Sequence, residues 1–482
     1  MTYTKKLIIG GLAVGIFAVS GWVYFGKKVA VEKQESKAAG VTFYVATNGS
    51  DNNSCTSTSS PCASLNGAYQ KSAAGDTVEV AGGSYSGQNL SKLSKGTTPV
   101  VFRPAAGANV TLSSLSVGAV YVEVQGMNVN GGVYISGSLP ADVHHVTLRD
   151  ITAKSIFIVA EDILVKGGSY GGIDGCTYDQ EDVVQVWQNP DSAGNYHASS
   201  RITFDGVRIH DITDHNNTCS DVSGSGNGRH VDCMQILAGH YITVRNSIFY
   251  NCATSDIIAR PFRDTLDNLL FENNWFQDVM HPGAALNLGA SGDTFGGTNI
   301  VRNNYIGSTG PTCQPAGCLK YYGNIMSIGS CSAGVTFDGN VFEQSWSATC
   351  GTKAKKSQPS FVGPTPSPSY LSGVVPNYHL AANDTVAVDA GSLTSYPATD
   401  IDGQTRYAGS APDAGADELG GGAPSPTGSS DLNTDGKVDV VDLGILLSSW
   451  GQTTKPKADI NQDGKVDVVD LGILLGKWGT SG

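Results

Sequence analysis

The sequence reads as an all-β protein wound into a parallel β-helix and followed by a small helical, EF-hand-like calcium module. Three observations point there. A nine-residue pattern recurs eight times between 121 and 342. Gly is abundant, 61 of 482 residues, while charged residues are only 15%. An acidic loop occurs twice, at 431–442 and 459–470, 28 residues apart.

The repeat has the form x-apolar-x-apolar-polar-(Gly/Asn/Asp)-x-x-apolar. Its instances are YVEVQGMNV at 121, HVTLRDITA at 145, DILVKGGSY at 162, RITFDGVRI at 201, YITVRNSIF at 241, NLLFENNWF at 268, TNIVRNNYI at 298 and GVTFDGNVF at 334. The alternating half is a strand of period two. The sixth residue is Gly126, Asp150, Gly167, Gly206, Asn246, Asn273, Asn303 or Gly339. These types tolerate positive φ, so the chain is expected to bend there in every coil. The starts differ by 24, 17, 39, 40, 27, 30 and 36 residues, so loops of variable length leave the stack. A propeller needs a steadier period and four strands per blade. Hexapeptide solenoids and leucine-rich repeats need frames that are absent.

The chain begins with Lys5 and Lys6, then a charge-free run from Leu7 to Gly26, then Lys27 and Lys28. Twenty apolar residues can span a bilayer, and a secretory signal is the other reading. Either one exports the remainder, so an extracellular protein, membrane-anchored or secreted, is expected. Ten cysteines suit that compartment. The spacings suggest local disulfides Cys55–Cys62, Cys313–Cys318 and Cys331–Cys350, with Cys176–Cys219 and Cys233–Cys252 as further pairings. No C-x-x-C pair is present, which argues against zinc. The net charge of −13 disfavours nucleic acid as a partner.

The expected divisions are 1–40 (anchor or signal, then linker), 41–418 (β-helix), 419–430 (Gly/Pro/Ser linker) and 431–482 (calcium module). A strand near 43, a helix near 61–74 and a strand at 75–85 open the β-helix. Residues 376–418 close it, and their many Asp residues read as turn and cap formers.

In the C-terminal loops, oxygen donors at positions 1, 3, 5, 7, 9 and 12 with Gly at 6 suit Ca²⁺. The first set is Asp431, Asn433, Asp435, Lys437 (through its carbonyl), Asp439 and Asp442. The second is Asp459, Asn461, Asp463, Lys465 (carbonyl), Asp467 and Asp470. Paired loops, each with only an exiting helix and Asp at position 12, resemble a type I dockerin. That resemblance implies docking to a cohesin on a scaffold or cell surface, and membership among polysaccharide-degrading proteins. Positions 10 and 11, often Ser/Thr in dockerins, are Val440–Val441 and Val468–Val469 here, so the partner contact differs or the module serves as a stalk. By coil pattern alone, 41–418 resembles the right-handed, single-stranded parallel β-helices of the pectate-lyase-like superfamily. In these a short helix covers the open end of the stack.

Aligning EDVVQVW at 181, VDCMQIL at 231 and SDIIARP at 255 puts Asp182, Asp232 and Asp256 in one column, with His230 and Arg260 beside them. Neighbours in such a column stand about 4.8 Å apart. Carboxylates that close form either a third calcium site or an acid/base group. With calcium they favour β-elimination on a uronate, His230 or Arg260 acting as base. Without it they favour glycoside hydrolysis. Gln185 and Gln235 fall on the opposite parity and suggest an amide ladder. Trp187, Phe262 and Trp275 are candidate sugar-stacking rings or ordinary packing residues. The expected function is recognition and cleavage of an extracellular, uronate-containing or neutral polysaccharide. The alternative is a surface glycan-binding or adhesion protein without turnover.

Overall fold

The computed structural model describes residues 40–420 apart from 94, 175–181, 214–230, 282, 290–292, 310–316, 330–333 and 344–349. Of the C-terminal module it describes 430–433, 437–451, 458, 460, 466 and 468–479. The leading apolar run, His230, Asp435, Asp459, Asn461, Asp463, Lys465, Asp467 and Cys176, Cys219, Cys313 and Cys331 lie outside the described residues. Among the described residues no helix is long and apolar enough to cross a membrane.

The expected parallel β-helix is what forms. One face is a line of parallel strands from Thr42–Val45 through Thr77–Val80 to Thr336–Asp338. Its register stacks one inward side chain per coil: Phe43, Val78, Phe102, Val124, Leu148, Val165, Phe204, Val244, Phe271, Val301, Tyr321 and Phe337. All twelve are buried. Coils that each expose an apolar edge alone become stable by covering one another. The outward positions next to these residues are charged, and Arg149–Glu123, Arg245–Asp205 and Arg302–Glu272 pair between coils.

Every predicted bend is left-handed, from φ 51° at Asn303 to φ 69° at Gly206. The repeat's first residue also has positive φ in seven coils, at Tyr121, His145, Asp162, Arg201, Tyr241, Asn268 and Gly334. That second corner was not read from the sequence, because Tyr, His and Arg are poor markers of positive φ. One coil was also missed: CLKYYGNIM at 318, whose Gly323 has φ 60°.

The residue after the bend carries a buried amide ladder through Asn274, Asn304, Asn324 and Asn340. Each Asn Oδ1 accepts the backbone N–H and the side-chain Nδ2–H of the Asn one coil earlier, all at 2.9–3.0 Å. Ser247 begins the series, its N–H donating to Asn274 Oδ1 at 3.0 Å. The signal was present as NN, NN, GN and GN in successive repeats.

The helix expected near 61–74 spans Leu65–Lys71 and starts at Ser64, whose hydroxyl accepts from the Gly67 N–H. Leu65, Ala68 and Tyr69 join the core at the first coil. Cys55–Cys62 and Cys233–Cys252 are bonded. Cys318 and Cys350 are also in disulfides, and no described cysteine is free.

Residues 361–418 wrap one outer face, where Tyr378, Leu380, Ala387, Ala390, Ala414 and Ala416 cover Trp275, Tyr305, Ile325 and Val341. Its aspartates do cap turns. Asp384 Oδ1 accepts from Val386 and Ala387, Asp389 from Ser410 and Ala411, and Asp413 from Asp389 and Leu419. Arg406, wholly buried, pairs with Glu418 at 3.1 Å.

Burial pushes the Asp400 carboxyl up to about 6 and Asp413 up to about 7. The hydrogen bond from His379 to Asp402, at 2.7 Å, raises the imidazole above 6.5, opposed by burial. All three groups hold protons more tightly folded than unfolded. The aspartates' contribution is therefore complete below about 3.8 and lost as pH rises through 6 to 7. That of His379 is complete below 6.5 and lost above it. Amide-exchange protection of 376–418 is expected to fall from pH 5 to pH 8, and His379→Gln to flatten the upper part of that fall. Rising protection over this interval would contradict the assignment.

Candidate functional site

The predicted acidic column forms only in its first two members. Asp182 lies opposite Asp232, but Asp232 lies opposite Ser255, not Asp256. The offset between these two strands is constant, Met234 lying opposite Ile257 and Gln235 opposite Ile258, so Asp256 falls one residue out of the column and on the other parity. Toward the next coil, the N–H groups of Asp256 and Ile257 both donate to Ala285 O, at 3.0 and 2.9 Å.

All three carboxylates are wholly buried. Asp182 Oδ1 accepts the Asp232 N–H at 3.0 Å, and its Oδ2 accepts from Gln185 Nε2 at 2.9 Å. Asp232 Oδ1 accepts from Thr254 Oγ1 at 2.7 Å. Neither oxygen of Asp256 has a hydrogen-bond partner. Burial, then repulsion from Asp278 and Asp232, pushes its carboxyl well above the ordinary carboxylate range. An Asp256 oxygen lies within 4.8 Å of both Cys233 and Cys252 sulfurs, which are bonded to each other and cannot ligate a metal. Asp182 and Asp232 thus share a rung, while Asp256 stands by the Cys233–Cys252 disulfide rather than in the column with them.

Arg260 is also displaced from its expected partner. Its Nε bonds Asp293 Oδ2 at 2.6 Å rather than Asp256, and 41% of its side chain is exposed.

What the coils do assemble is an outward row that the sequence reading only touched. Tyr134, Phe157, Gln185, Gln235, Ile258 and Asn287 follow one another in register on successive coils. In-register neighbours stand about 4.8 Å apart. Tyr134 is 40% exposed, and Phe157, Gln185, Gln235 and Asn287 are half-buried. Two residues further on, Trp187, Leu237 and Arg260 stack on consecutive coils, tied by Leu237 N–H to Val186 O and Arg260 N–H to Ile236 O. A hairpin of Gln188–Pro190 with Tyr196–Ala198 borders this surface. Beside it Phe262 is 44% exposed, with the Arg263 guanidinium 5.0 Å from its ring centre. Gln185 is therefore an outer-face amide whose orientation is set from behind by buried Asp182. Trp275, the third candidate ring, is 4% exposed and packs edge-on against Tyr378 and His379.

In the C-terminal module, helices Val440–Ser448 and Val468–Gly476 exit the two loops. Asp439 caps the first by accepting from the Val441 N–H. Buried Asp442 accepts from Leu432 and Asn433 with Oδ1 and from Asp439 with Oδ2. Asp470 repeats this, accepting from Ile460. The halves are cross-tied: Gly451 N–H donates to Val466 O, and Gly479 N–H to Val438 O. Leu432, Val438, Leu446, Ala458, Ile460, Val466 and Leu474 share one core. Asp431, Asn433, Lys437, Asp439 and Asp442 supply only oxygen donors, and two carboxylates, Asp431 and Asp442, are buried at the loop's two ends. That donor set fits a hard divalent cation. Val440, Val441, Leu447 and Trp450 are exposed, as are Leu475 and Trp478, the counterparts of Leu447 and Trp450.

Residues 429–476 match the family model for the Dockerin type I domain, and such domains bind calcium. No curated protein matches the chain. Among solved structures, pectate lyase Pel9A is similar at 15% identity over 78% of this chain and 96% of that one, with a TM-score of 0.48. XylC in complex with xylose is similar at 9% identity over 62% and 75%, with a TM-score of 0.42. An alginate lyase from Paenibacillus sp. str. FPU-7 is similar at 14% identity over 65% and 97%, with a TM-score of 0.34. These likenesses concern the fold alone.

Proposed function

We propose that the chain is an extracellular polysaccharide-active enzyme. It lays a glycan across the outer row Tyr134–Phe157–Gln185–Gln235 and cleaves it there by β-elimination or glycoside hydrolysis. The C-terminal module, with one Ca²⁺ in each loop, attaches it to a cohesin-bearing scaffold or surface. Residues 1–40 serve export, as anchor or signal, 41–418 carry the site, and 419–430 form the linker to 431–482.

The observation that carries this reading is the in-register row of rings and amides. Rings offer flat apolar faces to sugars, and fixed amides offer paired donors and acceptors. Arg260, half-exposed at the row's flank, is the cation that meets a uronate carboxylate or a developing negative charge. Asp182 and Asp232 act as positioning residues behind Gln185 and Thr254 rather than touching the glycan. His230, outside the described residues, is proposed as the proton-transfer group. Asp256, wholly enclosed, is assigned to packing. Apolar Val440 and Val441 at loop positions 10 and 11 favour a partner contact of apolar character.

A second reading, glycan binding without turnover, draws on the full burial of Asp182 and Asp232. A panel of acidic and neutral polysaccharides, with and without chelator, separates the two. Unsaturated product absorbance identifies a lyase, and reducing ends without it identify a hydrolase. Arg260→Ala is expected to lower turnover about 100-fold. Binding with no turnover, unchanged in Asp232→Ala, would establish the second reading instead. Chelator is expected to abolish partner docking through 431–470 and to spare cleavage.

A further inference from the structure

The C-terminal cover ends before the outer row beneath it does. Ser169, Arg208, Ile248, Trp275, Tyr305, Ile325 and Val341 follow in register along that row. Tyr378 stacks on Tyr305 with ring centres 3.5 Å apart, so this end of the row is sealed. Beyond Trp275 the cover lifts and leaves a cavity of about 510 Å³ against Arg208, Ile248, Trp275, Asn377, His379 and Asp402. That is the size range of small-ligand sites.

Two groups there have unspent bonding capacity. Arg208 is exposed and makes no ion pair among the described residues. Asp402 spends one oxygen on His379 Nε2 at 2.7 Å, and 45% of its side chain faces solvent. His379 cannot swing away, because its Nδ1 is also bonded to Asn377 Oδ1 at 2.6 Å. The wall is therefore fixed. It presents a fork-shaped cation and a carboxylate acceptor, beside the apolar surfaces of Ile248, Trp275 and Pro376.

We infer that this cavity binds a single acidic sugar residue, a hexuronate, apart from the proposed cleavage face. The uronate carboxylate meets the Arg208 guanidinium in a two-point bond. One ring hydroxyl donates to Asp402, and the carbon face of the ring rests on Ile248. A simple anion would use Arg208 but leave Asp402 unmatched, and a neutral sugar would leave Arg208 unmatched. The cavity so placed would hold an acidic glycan at a second point and raise its local concentration near the cleavage face.

The test is calorimetric titration of the full-length protein with D-galacturonate, D-glucuronate, D-galactose and inorganic phosphate. A uronate is expected to bind, with galactose and phosphate each about tenfold weaker or worse. Arg208→Ala removes an exposed side chain and is expected to weaken uronate about tenfold. Gln185→Ala on the other face should leave the titration unchanged, which separates this site from the cleavage site. No uronate binding, binding unaltered in Arg208→Ala, or phosphate binding as tightly as uronate would each overturn the inference.

Discussion

Asn304→Leu is expected to destabilise the β-helix by about 3–5 kcal/mol, far more than its modest change in volume suggests. Asn304 Oδ1 accepts from Asn274 N and Nδ2, and its Nδ2 donates to Phe271 O, Arg302 O and Asn324 Oδ1. All of these groups are in the interior or at its edge. Leucine fills the space but leaves the Asn274 amide and the Phe271 carbonyl without partners in a dry site. Each costs about 1–3 kcal/mol, and the members of a polar chain reinforce one another. Asn128→Ala, which removes an exposed Asn–Asn bond to Asn109, should change stability by less than about 0.5 kcal/mol. Denaturant unfolding of both variants measures the contrast. Equal small effects would mean the ladder is ornamental to stability.

The second large effect is on glycan binding. Tyr134→Ala with Trp187→Ala removes two rings from the outer face without opening the core, since neither belongs to the buried set. Loss of a sugar-stacking ring costs roughly 1–1.5 kcal/mol, so the pair is expected to weaken binding of the best panel polysaccharide about 30- to 100-fold. Phe262→Ala, on the bordering loop, should weaken it by a smaller factor. Affinity electrophoresis or calorimetry reads these changes, and unaltered binding in the double variant would move the glycan elsewhere.

The coil architecture was legible because two periods coincide in the sequence. Alternation marks the strand, and a Gly, Asn or Asp at the sixth place marks the corner. The calcium loops were legible because six ligand positions and a glycine recur at fixed spacing. The site was only half legible. Asp182 and Asp232 share a rung as their motif spacing suggested, but the next strand pairs through Ser255, which leaves Asp256 one place out of the column. Such a slip leaves no trace in composition, since SDIIARP aligns as well by its Asp as by its Ser. Burial was equally hidden: an acidic residue in a motif looks reactive, whereas Asp182 works as an acceptor that holds Gln185. The outward row escaped notice because Tyr134 and Phe157 come from coils whose repeats drew attention to their apolar inner positions. The C-terminal cavity depends on contacts between residues about 70 to 190 apart in sequence, as between Arg208 and His379, which no local pattern encodes.

The account's central claim is that successive coils bring rings and amides from distant segments into one glycan track. A crystal structure with an oligosaccharide of the polysaccharide that binds best tests it most directly. Sugar rings are expected over Tyr134, Phe157 and Trp187, with hydroxyls on Gln185 and Gln235 and Arg260 beside them. Sugar bound instead across the charged face, along Arg149, Arg245 and Arg302, with the Tyr134–Gln235 row bare, would contradict it.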